Sequence, residues 1–326
     1  MAEFNTVSSE DKYFRIRINS VHPNRPTTFD IFVFINGRQV LYRRAGDTLD
    51  EDKIKKLHSK DNDSFFVAEK DRAAYKKYVH SQVNDESLDT RTRAEILRES
   101  SYSLVEELFE QPDVETALKQ SQEVITNFVE FMDQEPEGMA HLISLSSHDF
   151  YTYNHSLDVS IYSLGLGKAA GYSDKDLEEL GKGALFHDLG KRHVSADIIC
   201  KQGPLDDIEW EQMRMHPTYG LKILNDMTGI SDAIKACAFE HHENFLGNGY
   251  PQQLMGDEIH PMARIVALTD TYDAMTTKRT YNNPMTPMQA LTFMKEKLEK
   301  RYDPELIRIM YSILFDLQKM SLAQGE

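Results

Sequence analysis

Cysteine is nearly absent from this chain: Cys200 and Cys237 are the only two in 326 residues. So few cannot build a disulfide framework, and they point to a reducing compartment. Basic residues are also short, 37 Lys and Arg against 53 Asp and Glu, for a formal net charge of -16. A surface that acidic repels polymeric nucleic acid and excludes a long basic groove. It does not exclude a small anion, because bound dications invert the local field. Long hydrophobic runs are missing as well, and nothing approaches the roughly 20 apolar residues of a bilayer span. Residues Met1–Lys12 are polar and acidic, without an apolar signal core. These absences lead to the expectation of a cytoplasmic protein with no membrane partner. Histidine-rich tracts and solenoid-length repeats are also lacking.

What is present is the composition of a globular protein, 40% hydrophobic and 28% charged, in a chain long enough for about two domains. Residues 1–85 read as a small α/β domain. Tyr13–Ile18 alternates apolar and charged residues, as a half-buried strand does. The apolar runs Phe29–Ile35 and Gln39–Tyr42 flank Asn36-Gly37, a hairpin signal. Ser64–Val67 suggests another strand and Asp71–Gln82 a helix. His22, His58 and His80 share no spacing and read as surface or turn histidines. Residues 86–135 form two charged amphipathic segments, Arg91–Phe109 and Val114–Met132, read as a packed helical pair serving as linker or accessory helices. From 136 to 326 the pattern is helical, with glycines punctuating it at Gly171, Gly203, Gly229, Gly247 and Gly249. The expected class is mainly α, an all-α core preceded by a small α/β domain.

The chemistry concentrates between residues 155 and 270. His155, His187, Asp188, His216, His241, His242 and Asp270 are imidazoles and carboxylates, the ligand types that hold Mn, Fe, Ni or Zn. Three of the segments place them on inward stripes. Leu177, Leu180, Ala184, His187 and Lys191 share one helical face. Ile234, Cys237, Ala238, His241 and His242 share another, and Ala263, Val266, Ala267, Asp270 and Ala274 a third. Burying such groups unpaired is costly, and metal coordination is a common compensation. His216 precedes Pro217, which suits the first turn of a helix. Asp273 rivals Asp270 as the ligand, and His148-Asp149 is incidental. Seven ligands can hold two ions, and two ions close together are a device for attacking phosphate esters. Asp188 is the carboxylate placed to bridge them. Lys191, one turn from His187, is positioned to steady phosphate charge or the leaving oxygen. Trp210, Met213 and Met215 read as an apolar core cluster.

The ordered set His187-Asp188-Leu-Gly-Lys191, His216-Pro-x-x-Gly220, His241-His-Glu243 and Gly249-Tyr250-Pro251 resembles the HD-GYP family. Ala263-Arg-Ile265, Asp270, Asp273-Ala274-x-Thr276 and Arg279-x-Tyr281 extend the resemblance across residues 150 to 315. It implies an all-α HD-domain core and a phosphodiesterase of cyclic di-GMP, releasing the linear dinucleotide and often GMP in bacterial signalling. It implies His155, His187, Asp188 and Asp270 around one metal, and Asp188, His216, His241 and His242 around the second. Iron is the metal it implies first, then manganese. Lys191, Gly249, Tyr250, Pro251 and Arg279 would hold substrate, and Glu243 would orient a ligand histidine. The N-terminal residues would serve as a regulatory or partner-binding domain.

The departures cluster near the substrate loop. Tyr151 stands where some members carry a third-metal Glu, so two ions are expected rather than three. Leu246 replaces the usual Asp, Gln253 the usual Gly, Thr280 the Pro of Arg-Pro-Tyr, and His260 the common Ile before Pro261. No expected ligand is lost. Two alternatives follow from the altered loop: a phosphohydrolase of another nucleotide, or a cyclic-di-GMP receptor or protein-interaction module that keeps its metals for structure.

Overall fold

The computed structural model describes residues 12–49, 65–110, 113–135, 137–145, 152–277 and 284–323, with side chains given to 315. The chain divides into two compact units, Met1–Gln120 with Glu130–Leu142, and Ser121–Val129 with Ile143–Glu326.

The first unit contains a four-stranded antiparallel sheet of β1 (Tyr13–Ile16), β2 (Ile31–Ile35), β3 (Arg38–Arg43) and β4 (Phe65–Ala68), in the order β1-β4-β2-β3. Alternation puts every second side chain on one face. Phe14 and Ile16, Ile31 and Val33, and Phe65 and Val67 accordingly meet in one apolar core. Asn36 and Gly37 turn the β2–β3 hairpin with φ of 50° and 78°, the left-handed pair that a two-residue hairpin requires. The first strand ends at Ile16, shorter than its alternation suggested, because Ile18–Ser20 coils into a 3-10 turn. Tyr75 and Tyr78 of α1 (Arg72–Val83) join the sheet core, both ring edges meeting Phe29. Helices α2 (Thr90–Glu110), α3 (Val114–Gln134) and α4 (Gly138–Ser144) follow. Asp113 caps α3 by accepting from the Glu115 and Thr116 N–H groups.

In the second unit come α5 (Thr152–Ala169), α6 (Asp174–Leu185), α7 (Ala196–Ile199), α8 (Asp207–Met213), α9 (His216–Asn225), α10 (Asp232–Glu240), α11 (Pro261–Thr276), α12 (Pro287–Phe293) and α13 (Pro304–Ala323). Their starts are written in the sequence. Ser173 and Ser231 cap α6 and α10, Asp206 and Glu209 form a capping box at α8, and Pro217 and Pro261 sit in first turns. The last helix runs from Pro304 to Ala323. No helix among the described residues is long and apolar enough to cross a membrane.

Candidate metal centre

Five segments bring the candidate ligands together. His155 lies in the first turns of α5, and Asp270 lies on α11. His216 opens α9, and His241 and His242 follow the last turn of α10. His187 and Asp188 do not continue α6 as their spacing suggested. That helix stops at Leu185, and a turn leads into the 3-10 segment Leu189–His193. The break has a steric partner: a Cβ on Gly190 would lie 1.9 Å from the His216 carbonyl oxygen. Only glycine lets this turn close on the start of α9, and that approach carries His187 and Asp188 toward His216.

Within this cluster the donor atoms form two groups, His155 with His187 and Asp188, and His216 with His241 and His242. In each group the atoms lie within 4.8 Å of one another. Asp188 connects them. Its Oδ2 is 3.3 Å from His187 Nε2 and 3.6 Å from His155 Nε2. Its Oδ1 is 3.3 Å from His216 Nε2 and 3.8 Å from His241 Nε2. Asp270 Oδ1 approaches His155 Nε2 at 3.3 Å and His187 Nε2 at 4.0 Å.

Behind the ligands, four imidazoles are held by acceptors that fix their tautomers. Nδ1 of His187 donates to the Ala184 carbonyl at 2.7 Å, and that of His216 to Met213 at 2.7 Å. His241 Nδ1 is shared between the Cys237 and Ala238 carbonyls, at 3.0 and 3.1 Å. His155 Nδ1 donates to the Asp273 carboxylate at 2.7 Å, and Thr277 in turn donates to Asp273 at 3.0 Å. With Nδ1 protonated, a neutral imidazole turns its Nε2 lone pair inward. Asp270 and Asp273, indistinguishable by type, are thus separated by position: Asp270 faces the donor cluster and Asp273 supports His155 from behind.

The residues fit dications. His216 and His241 bring their Nε2 atoms to 3.1 Å with both Nδ1 protons committed elsewhere, so two lone pairs face each other. The buried His187 Nε2 and Asp188 Oδ1 make no hydrogen bond. Orphaned buried acceptors are costly unless a cation meets them. The all-N/O donor set suits divalent first-row metals.

Electrostatics follow from burial and neighbours. Burial pushes His216 down to about 4 and His242 to about 3, and holds His241 well below the usual imidazole range. For His155 burial acts downward too, but the Asp270 and Asp273 carboxylates outweigh it and raise the ring to about 9. Burial alone would raise Asp188, yet the Lys191 and His187 charges hold it well below the carboxylate range. Asp270 is lowered likewise, against burial, chiefly by His155. The Lys191 ammonium donates directly to Asp188 Oδ2.

The Gly249-Tyr250-Pro251 loop lies directly on this centre. The Tyr250 ring stacks on His242, centroids 4.7 Å apart and 26° between planes. A Cβ on Gly249 would meet the backbone of Glu243 at 2.5 Å, so the loop passes where only glycine fits. Glu243 was expected to orient a ligand histidine; its hydrogen bonds go elsewhere. Its carboxylate accepts from the backbone N–H groups of Gln252, Gln253 and Leu254, at 2.6, 3.0 and 3.1 Å. The reason is local geometry: the chain returns over Glu243 and presents three consecutive donors. Trp210 and Met215, expected in the core, are 49% and 40% exposed; the first lies on α8 and the second in the turn between α8 and α9. Arg214, overlooked in the sequence, places its guanidinium 4.7 Å from the Tyr250 ring centroid. Its signal was its place four residues after Trp210 and two before His216. Arg279, Tyr151, His58 and His148-Asp149 lie outside the described residues. His80 is exposed, and His22 is half-buried beside the Pro23 carbonyl, 2.6 Å from its Nδ1.

Fold, donor cluster and loop together define a class. A family profile described as HD domain matches residues 137–306. The chain belongs to the HD-domain family, and its ordered motifs place it in the HD-GYP group. Among curated relatives it is 37% identical to 3'3'-cGAMP-specific phosphodiesterase 3 of Vibrio cholerae, over 48% of this chain and 34% of that protein. It is 34% identical to a cyclic di-GMP phosphodiesterase of Pseudomonas aeruginosa, over 53% of this chain and 42% of that one. A cyclic di-GMP phosphodiesterase of Thermotoga maritima is 32% identical, over 58% and 51%. The matches thus span about a third to a half of these relatives' own length. A solved HDG"Y"P protein from Bdellovibrio bacteriovorus shares the fold, with a TM-score of 0.74 and 22% identity over 93% of this chain and 99% of that one.

Proposed function

We propose that this chain is a two-metal phosphodiesterase that hydrolyses cyclic di-GMP to the linear dinucleotide, GMP or both, within bacterial second-messenger signalling. The observation that carries this reading is Asp188, whose two carboxylate oxygens face two separate groups of buried donors. His155, His187, Asp188 and Asp270 would hold one ion, and Asp188, His216, His241 and His242 the other, with iron the first choice and manganese the second. When bound, such a pair polarises phosphate oxygens and lowers the pKa of the water that attacks phosphorus.

The chain's own residues do the rest. The carbonyls of Ala184, Met213 and Cys237 and the carboxylate of Asp273 hold four imidazoles in the ligand tautomer. To hold an ion, His155 would have to give up its Nε2 proton, so metal uptake would release protons. Lys191, beside Asp188, offers its ammonium to a phosphate oxygen or to the departing alkoxide. Tyr250, stacked on His242, forms a wall of the site, and Glu243 keeps its loop in place. Gly249, Pro251 and Arg279 complete the proposed substrate contacts. The N-terminal unit is proposed as a regulatory or partner-binding domain.

A second reading concerns substrate identity. The Vibrio cholerae relative bears the name of a 3'3'-cGAMP-specific enzyme, and Leu246 departs from the family's loop. The test is a product assay. Protein loaded anaerobically with Fe(II) or Mn(II) is given cyclic di-GMP and 3'3'-cGAMP in parallel, with Asp188→Ala as control. Hydrolysis of cyclic di-GMP, lost in the variant, supports the proposal. Preference for 3'3'-cGAMP shifts it to the second reading. Tight nucleotide binding without turnover by metal-loaded protein sinks both in favour of a receptor.

A further inference from the structure

Trp210 is the single tryptophan of the chain, and half its surface is open to solvent. It lies on α8, four residues before Arg214, whose backbone N–H donates to the Trp210 carbonyl at 2.9 Å. Side chains four apart share one face of a helix. Indole and guanidinium therefore project on the same side. Arg214 in turn lies against Tyr250, and Tyr250 is stacked on His242. Both partners meet the same ring, each 4.7 Å from its centroid. Arg214 therefore touches a ring that itself touches a member of the His216, His241, His242 donor group. Arg214 is exposed and forms no ion pair among the described residues, whereas Lys191 is tied to Asp188. Met215, the next residue, is exposed as well.

An exposed indole and, four residues on, a guanidinium with no ion pair among the described residues are groups that can hold a nucleotide outside a phosphate-cleaving centre. A cyclic dinucleotide carries two phosphodiesters in one small ring. When one is at the metals, the other is an anion held nearby with a purine attached. Guanidinium recognises phosphate through its planar fork of donors. Indole offers a face on which any purine stacks. We propose that Trp210 and Arg214 form an outer nucleotide subsite: Arg214 takes the phosphate that is not being cut, and Trp210 stacks on the purine beside it. The proposal rests on the phosphodiesterase reading above, and it adds a determinant that favours dinucleotides over simple phosphodiesters.

Because Trp210 is the sole tryptophan, emission excited selectively in the indole band, where the tyrosines do not absorb, reports on this subsite. Full-length protein loaded with Mn(II) is mixed rapidly with cyclic di-GMP, and emission is followed before product accumulates. The expected result is saturable quenching, with half-saturation raised about tenfold or more in Arg214→Gln and less in Arg214→Lys. Steady-state rates are then compared for cyclic di-GMP and bis(4-nitrophenyl) phosphate, which has no second phosphate. Arg214→Gln should raise KM for the cyclic dinucleotide at least tenfold more than for the small diester. Equal losses on both substrates would mean that Arg214 only props Tyr250, and would overturn the proposal. Turnover of cyclic di-GMP with no change in emission overturns it too, while leaving the phosphodiesterase intact. Absence of any cyclic-dinucleotide turnover by the unaltered protein removes the underlying reading and the subsite with it.

Discussion

The sheet of the first unit and the donor cluster of the second are both buried, but different forces hold them. Around the sheet, Phe14, Ile16, Ile31, Phe65 and Val67 exclude water; Tyr75 donates to Ser20 at 2.8 Å and Thr27 to the Phe29 carbonyl at 2.9 Å, and the Tyr78 hydroxyl is left as a buried polar atom without a hydrogen bond. Its charges stay near the surface, where Arg72 pairs with Glu69 and Glu107. The second unit buries His155, His187, Asp188, His216, His241 and Asp273 instead, with lone pairs aimed at one another. The first arrangement is complete in itself, since apolar burial needs no further partner. The second makes electrostatic sense around cations. The difference teaches that one chain can spend hydrophobic packing on a scaffold and hold a polar cluster in tension for chemistry.

That contrast can be broken most forcefully at Asp188. Replacing it with Ala removes the one carboxylate shared by both donor groups. Turnover should fall about 10³-fold or more, as it does when a catalytic unit loses a member, and metal analysis should show reduced occupancy. An Asp188→Ala protein retaining two ions and full activity would falsify the shared-carboxylate account. On the sheet side, Ile31→Ala should cost about 2–5 kcal/mol in a denaturant titration, the usual penalty for a buried aliphatic truncation. Metal content of the remaining folded protein should not change, and a parallel loss of metal would blur the distinction between the two regions.

A finer change is Asp273→Asn, which leaves every proposed ligand but weakens the anchor of His155. Competition against a chelator should show about a 10- to 100-fold loss of metal affinity. An unchanged affinity would reduce Asp273 to a packing residue. The smallest expected effect is that of pH on metal-stripped protein, read by thermal melts. His216 and His242 titrate near 4 and 3 when folded, below their ordinary 6.5, so the unfolded chain binds more protons as pH falls below 6.5. Stability should therefore drop between pH 6.5 and about 4. His155, raised to about 9, acts in the opposite direction: its contribution is complete below 6.5 and is lost as pH rises through 9. The melting temperature should pass through a maximum between these limits. Metal-loaded protein should lose the alkaline decline, because His155 would then be a ligand without its proton, and should fall more steeply on the acid side, where protons compete with the ions for the histidines.

Much of this was legible in residue order. The Asn36-Gly37 hairpin, Pro217 in a first turn, and the identity of the clustered donors are all local signals. Three features were not. The α6 stripe continued through His187 to Lys191 on paper, but the helix ends at Leu185, since the limit is a contact between Gly190 and the distant His216 carbonyl. Glu243 looked like support for a neighbouring histidine, and its three hydrogen bonds instead hold residues 252–254. Trp210 and Met215 looked like core because they are apolar, yet the side to which a short helix and the turn after it present their residues is decided by what packs against them.

The sequence by itself determined which groups are available: seven imidazoles and carboxylates in a helical region, a lysine one turn from His187, a Gly-Tyr-Pro loop, and too little positive charge for a nucleic-acid polymer. Those are properties of residue type and short-range periodicity, which survive without a fold. Only the tertiary structure decided that Asp270 faces the cluster while Asp273 stands behind it, that the two oxygens of Asp188 look toward different histidines, and that Arg214 lies against Tyr250. These depend on contacts between residues far apart in the chain, where a shift of one ångström separates a ligand from a bystander, and no local pattern encodes a distance of that kind.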